Sequence, residues 1–188
     1  ESRLRVEVIR GDDPRADAQF YQTMYNIYTS TVDKMLGQRY LSPNFFAALH
    51  EASPAFRRNL VFVVAFRDSE GENGTTVVGG TINVSKHNRM YGRYWGCFEE
   101  VKNLHFECCY YKTVEWCIEN NIEFFEPGAG GGSFKFLRGF DPYIVNSVHY
   151  ISSAVLRSAV ADFLGAERNE NREITSYLTE NSKLQSRE

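Results

Sequence analysis

A chain of 188 residues is long enough for one domain with a full hydrophobic core, and 43% hydrophobic with 14% aromatic residues sets disorder aside for its body. A formal net charge of -3 supplies no global field for nucleic acid or an anionic membrane. No apolar run approaches the roughly 20 residues that a membrane-spanning helix needs.

Residues Leu4–Ile9 alternate as a first strand, stopped by Gly11-Asp12-Asp13-Pro14. Phe20, Met24, Ile27, Tyr28, Thr31 and Met35 then recur at helical spacing and predict a long amphipathic helix closing near Gly37. Ser42-Pro43 reads as an N-cap with proline at the first helical position. Phe45, Phe46 and Leu49 form the expected buried side of that second helix, which stops before Ser53-Pro54.

The period then changes from helix to strand. Leu60–Phe66 is a continuous apolar run of strand length. A polar loop over Asp68–Gly74 leads into a strand over Thr75–Ser85, with Gly79-Gly80 as a possible bulge. His87-Asn88-Arg89 turns the chain into an aromatic strand, Met90–Phe98, so that three antiparallel strands form a meander.

Beyond the meander the pattern predicts β-α-β-α-β. Leu104–Phe106 reads as a short strand, and Cys108–Asn120 as a helix with Tyr110, Val114, Cys117 and Ile118 on one face. Ile122–Phe125 reads as a buried strand cut off by Pro127-Gly128. The glycine-rich turn Gly128–Gly132 opens into Ser133–Phe140, and Tyr143–Ile151 reads as strand again. A last helix starts at Ser152 or Ser153, with Val155, Leu156, Ala159, Val160, Phe163 and Leu164 as its stripe. The expected organisation is one α/β domain with a mixed sheet (α+β in its segregated helix pair) over residues 1–165, and a polar helix or tail over 166–188.

Cys97, Cys108, Cys109 and Cys117 contain no C-x-x-C pair and no zinc-like histidine spacing. No metal is expected. The thiols read as reduced and mostly buried, which fits the cytoplasm or an organellar matrix or stroma. No targeting segment is visible.

Four stretches carry a family resemblance: Tyr91-Gly92-Arg93-Tyr94-Trp95-Gly96, Leu104-His105-Phe106-Glu107-Cys108-Cys109-Tyr110-Tyr111, Phe125-Glu126-Pro127-Gly128-Ala129, and Lys135 to Arg138-Gly139-Phe140. In order and approximate spacing they resemble the FemAB-like family, labelled peptidoglycan biosynthesis or recognition, whose broader relatives are Fem-type aminoacyl transferases. The resemblance implies a GNAT-like acyl-CoA N-acyltransferase fold. It also implies that this chain is the second of two tandem halves, with an N-terminal domain or protein partner beside it. One departure stands out. Where the family reads Gly-Ala-Gln-Gly-Glu-His-Lys, this chain has Gly128-Ala129-Gly130-Gly131-Gly132-Ser133-Phe134-Lys135. If those polar groups act in relatives, that chemistry is lost here.

Acyl transfer to an amine requires a held donor, a polarised carbonyl and a group that takes the amine proton. Gly128, Gly130 and Gly131 could present backbone amides to a phosphate or an oxyanion, with Lys135 and Arg138 adding charge. If Leu104–Phe106 is a strand, His105 and Glu107 fall on one side as a general-base pair. Glu126 would sit at the carboxyl end of the neighbouring strand, with Ser147 and His149 reaching the same cleft from the acceptor side.

The expected donor is acetyl-CoA by the fold or aminoacyl-tRNA by the Fem relatives, the second disfavoured by the acidic net charge. The acceptor is a small-molecule or peptide amine. The rival reading is a non-catalytic GNAT-fold subunit that binds or scaffolds a larger assembly. It rests on the altered turn and on ring pairs such as Tyr110-Tyr111 and Phe124-Phe125, which each point two ways.

Overall fold

The computed structural model describes residues 3–68, 74–128 and 133–181. The chain divides into two compact units, Glu1–Gly128 and Ala129–Glu188.

The first unit is a five-stranded mixed sheet in sequence order, β1 (Arg3–Arg10), β2 (Leu60–Asp68), β3 (Thr75–Lys86), β4 (Arg89–Cys97) and β5 (Phe124–Glu126). Strands β1 to β4 pair antiparallel, and β5 lies parallel to β4. The apolar run read from the sequence is β2, where Val61 through Ala65 are fully buried because helices cover both faces.

On one face lie α1 (Ala18–Lys34) and α2 (Pro43–Glu51), followed by a single turn, α3 (Pro54–Arg57). The Asp17 carboxylate caps α1 by accepting from the Phe20 amide at 2.8 Å, and Ser42 caps α2 by accepting from Phe45 at 3.3 Å. Tyr21, Met24, Ile27 and Tyr28 of α1 pack with Phe46 onto Phe62, Val64 and Ile82. Phe46 is buried as expected, whereas Phe45 stays exposed. The close approach of α1 requires Gly96, where a Cβ would lie 1.9 Å from the Ile27 carbonyl oxygen.

The opposite face is covered by a continuous helix over 104–119: α4 (Leu104–Phe106), a π segment (Glu107–Tyr111) and α5 (Lys112–Glu119). Leu104–Phe106 is therefore helix, not strand. Buried Leu104, Cys108, Thr113 and Cys117 show the reason, since their intervals of four, five and four residues contain one widened turn. Inside it the Thr113 hydroxyl donates to the Cys108 carbonyl at 2.8 Å. That extra residue rotates the stripe, leaving Ile118 exposed rather than on the inner face. The two facing clusters are Val63, Ala65, Val78, Leu104 and Cys108, and Val61, Met90 and Cys117.

In the second unit, Ser133–Phe136 forms a short helix, α6, and Ala154–Glu180 a 27-residue helix, α7. Ser153 caps α7, accepting from Leu156 at 3.4 Å. No residue of α7 is buried. Tyr143–Ile151, expected as a strand, is irregular. A β pattern needs a neighbouring strand, and the backbone groups of 144–150 make no hydrogen bond among the described residues.

Candidate active site

The sheet opens between β4 and β5. Among the described residues, Arg89, Met90 and Tyr91 pair with β5, opposite Phe124, Phe125 and Glu126. Proline then ends the ladder, because Pro127 has no amide hydrogen to donate. Gly128 follows at φ 89°, and its neighbourhood is tight: a Cβ there would lie 3.1 Å from the Gly92 carbonyl oxygen. Pro127 and Gly128 lie against Gly92, and from Arg93 to Cys97 β4 continues along β3 with no further pairing to β5 among the described residues.

A bulge falls at this opening. Ile82 faces Tyr94 and Asn83 faces Gly92, so Arg93 is an extra residue on β4. Behind it, buried Asn83 donates to the Val61 carbonyl at 3.1 Å and to the Thr81 hydroxyl at 2.7 Å, which satisfies its amide in the core. A second bulge leaves Val78 unpaired between β2 and β3, next to the predicted Gly79-Gly80.

Tyr94 packs on the α1 side of the opening. Its hydroxyl is 2.8 Å from that of Tyr40, and the buried Tyr28 hydroxyl accepts from the Tyr40 and Leu41 amides at 3.1 and 3.3 Å. The Tyr94 hydroxyl bond, with some burial, raises the Tyr40 phenol to about 12, so it stays protonated at neutral pH. Trp95 packs on the other side, its ring 5.4 Å from the His105 ring. His105 also lies edge-on to Tyr110 at 5.6 Å.

His105 thus sits beside the uncovered half of β4, and Glu126 ends the paired part of β5. The expected His105–Glu107 alternation is corrected: on a helix, two residues are separated by roughly 200°. Glu107 is exposed rather than set beside the histidine. Gly128 is at the opening, but Gly130 and Gly131 lie outside the described residues. Lys135, Arg138, Ser147 and His149 belong to the second unit. There Arg138 donates to the Phe134 carbonyl at 2.8 Å, so its charge is partly committed to closing its own turn. Ser147 and His149 are exposed on the irregular segment rather than alternating on a strand. Among the described residues, no group of three or more histidine, cysteine or acidic side chains is placed to hold a metal ion.

The Arg93 bulge and the Tyr40–Tyr94 pair escape a reading of the sequence by motif. The available signal was Gly92 and Gly96 inside an otherwise aromatic strand, since glycine there marks a bulge or a close backbone approach.

A helix pair after β1, an antiparallel meander with a bulged fourth strand, and a parallel fifth strand reached through a helix define a GNAT-like α/β domain. The chain belongs to the FemAB_like family, described as peptidoglycan biosynthesis/recognition, which it matches over residues 1–186. A comparison with curated proteins finds no match. Among solved structures, the chain is similar to an aminoglycoside acetyltransferase from an uncultured soil metagenomic sample. The identity is 10% and the TM-score 0.44, with 80% of this chain and 99% of that one covered.

Proposed function

We propose that the chain serves N-acyl transfer, with the acyl donor lying along the uncovered half of β4. The observation that supports this most is the conjunction of the Arg93 bulge with the end of β5 at Glu126. Together they leave part of β4 without a partner strand among the described residues, at the place where an acyl carbonyl would be polarised. In the reaction the amine nitrogen bonds to the acyl carbon. The carbon–sulfur bond of a thioester, or the carbon–oxygen bond of an aminoacyl ester, breaks, and its electron pair leaves with the departing group. His105 takes the proton released by the amine, and Glu126 lies on the strand across the opening. Lys135, Arg138, Ser147 and His149 lie in the second unit and are given no step in this reading. Glu107 has no part in the reading. The family description favours a peptidoglycan-derived amine as acceptor.

A second reading is a scaffold or binding subunit. It is favoured by the exposed Val148, Tyr150, Val155 and Phe163 of the second unit. Incubation with acetyl-CoA or an aminoacyl donor and a panel of amines separates the two. Release of CoA or tRNA coupled to amide formation, lost in His105→Ala, supports transfer. Absence of amide product with either donor, alongside stable capture of a protein partner, supports the scaffold.

A further inference from the structure

The two edges of the sheet are built differently. β5 is three residues long and stops at Pro127. β1 pairs with β2 over all eight of its residues, from Arg3↔Asp68 to Arg10↔Val61, without a bulge. It carries no proline, and among the described residues no strand lies on its outer side. A long, regular edge of this kind is a template for one more strand.

The residues of β1 alternate between its two faces. Leu4, Val6 and Val8 pack toward α4 and α5, whereas Ile9 packs into the core under α1, on the same face as Arg5 and Glu7. Arg5 and Glu7 are 36% and 32% exposed and pair with each other along the strand. Arg5 also donates to Asp68 on β2 at 3.1 Å, and Arg15 donates to Glu7 at 2.7 Å.

We infer that β1 pairs antiparallel with β1 of a second copy of this chain, about a two-fold axis at Val6. In an antiparallel pair, directly opposite residues share a face. Centred on Val6, the register sets Arg5 opposite the partner's Glu7 and Glu7 opposite the partner's Arg5. On the other face it sets Leu4 opposite the partner's Val8, and Val8 opposite the partner's Leu4. Each contact is made twice, as a two-fold interface requires. A slip by two residues, the smallest that keeps the faces matched, sets Arg5 against Arg5 or Glu7 against Glu7. Parallel pairing in register makes both like-charge contacts at once. The charges therefore select the partner, its direction and its register together. An open groove of about 600 Å³, lined by Val6, Val8 and Trp116 of α5 among others, lies against this edge. The partner's Leu4, opposite Val8, falls into it. The pairing is independent of the acyl-transfer reading, since β1 and β5 are opposite edges of the sheet.

The test is sedimentation equilibrium of the whole chain over a concentration series, beside Arg5→Glu and Glu7→Arg. Reversible monomer–dimer association is expected, weakened at least about tenfold in each variant, which sets like charges against each other across the axis. Mixed in equal amounts, the two variants should associate as tightly as the unaltered chain, because opposite charges then face each other again. Should a substitution disturb β1, the unaltered chain gives a second readout: amide exchange over 4–9 slows as concentration rises. A dimer that neither charge reversal weakens overturns the inference, because its interface lies elsewhere. A monomer at every concentration overturns it too. Fast exchange over 4–9 would then leave the edge open, and slow exchange would show that it is covered within one chain.

Discussion

Helices α1 and α7 carry the same kind of apolar stripe and meet different fates. The stripe of α1 is driven into the sheet, where Met24 and Ile27 are fully buried. That of α7 leaves Val155 84% and Phe163 64% exposed. Periodicity therefore names the face of a helix that can be buried, and only a surface opposite decides whether it is. In the first unit that surface is the five-stranded sheet, built around the β2-β3-β4 meander. In the second, residues 144–150 make no backbone hydrogen bond among the described residues.

The sharpest way to break the comparison is at the contact between α1 and β4. Gly96→Val would drive side-chain atoms into the Ile27 carbonyl, and a loss of about 3 kcal/mol or more is expected in chemical denaturation. Slightly gentler is a matched pair of truncations. Phe46→Ala empties a fully packed site and should cost about 3 kcal/mol, whereas Phe163→Ala should change stability by no more than about 0.5 kcal/mol. Equal losses would show that α7 is as well packed as α2.

Chemical labelling sharpens the same contrast within the first unit. Burial pushes the Cys108 thiol up to about 12 and Cys117 up to about 11, from an ordinary 9.0. Both should resist a thiol reagent at pH 8 in the native state and react once unfolded, while half-buried Cys97 and Cys109 react first. Above pH 9 the unfolded thiols lose protons that the native ones retain, so their contribution to stability falls from pH 9 until the native values are passed. A rise in stability over that range would contradict the burial. Smallest of all, removing the exposed Lys34–Glu100 pair with Lys34→Ala should leave the denaturation midpoint unchanged.

Most of the first unit was legible in the sequence, because its strands and caps are local signals. The Leu60–Phe66 run, the Ser42-Pro43 cap and the turn at His87-Asn88 each specify their conformation through a few neighbouring residues. Leu104–Phe106 misled because the π turn that follows disrupts helical periodicity, so a three-residue apolar–polar alternation resembled a strand. The strand expected over Tyr143–Ile151 misled for the opposite reason: its alternation is genuine, but residues 144–150 make no ladder bond among the described residues. At the candidate site, Glu126 and Gly128 could be placed from the Pro127-Gly128 stop. The Arg93 bulge could not, because register is a property of two strands and appears only when β3 and β4 are aligned.

The central claim is that the uncovered half of β4 receives an acyl donor, and amide hydrogen exchange over residues 92–97 tests it most directly. The account predicts slower exchange at these amides on adding acetyl-CoA or an aminoacyl donor, with β1 unaffected. Unchanged exchange over 92–97 with both donors at saturating concentration would contradict it.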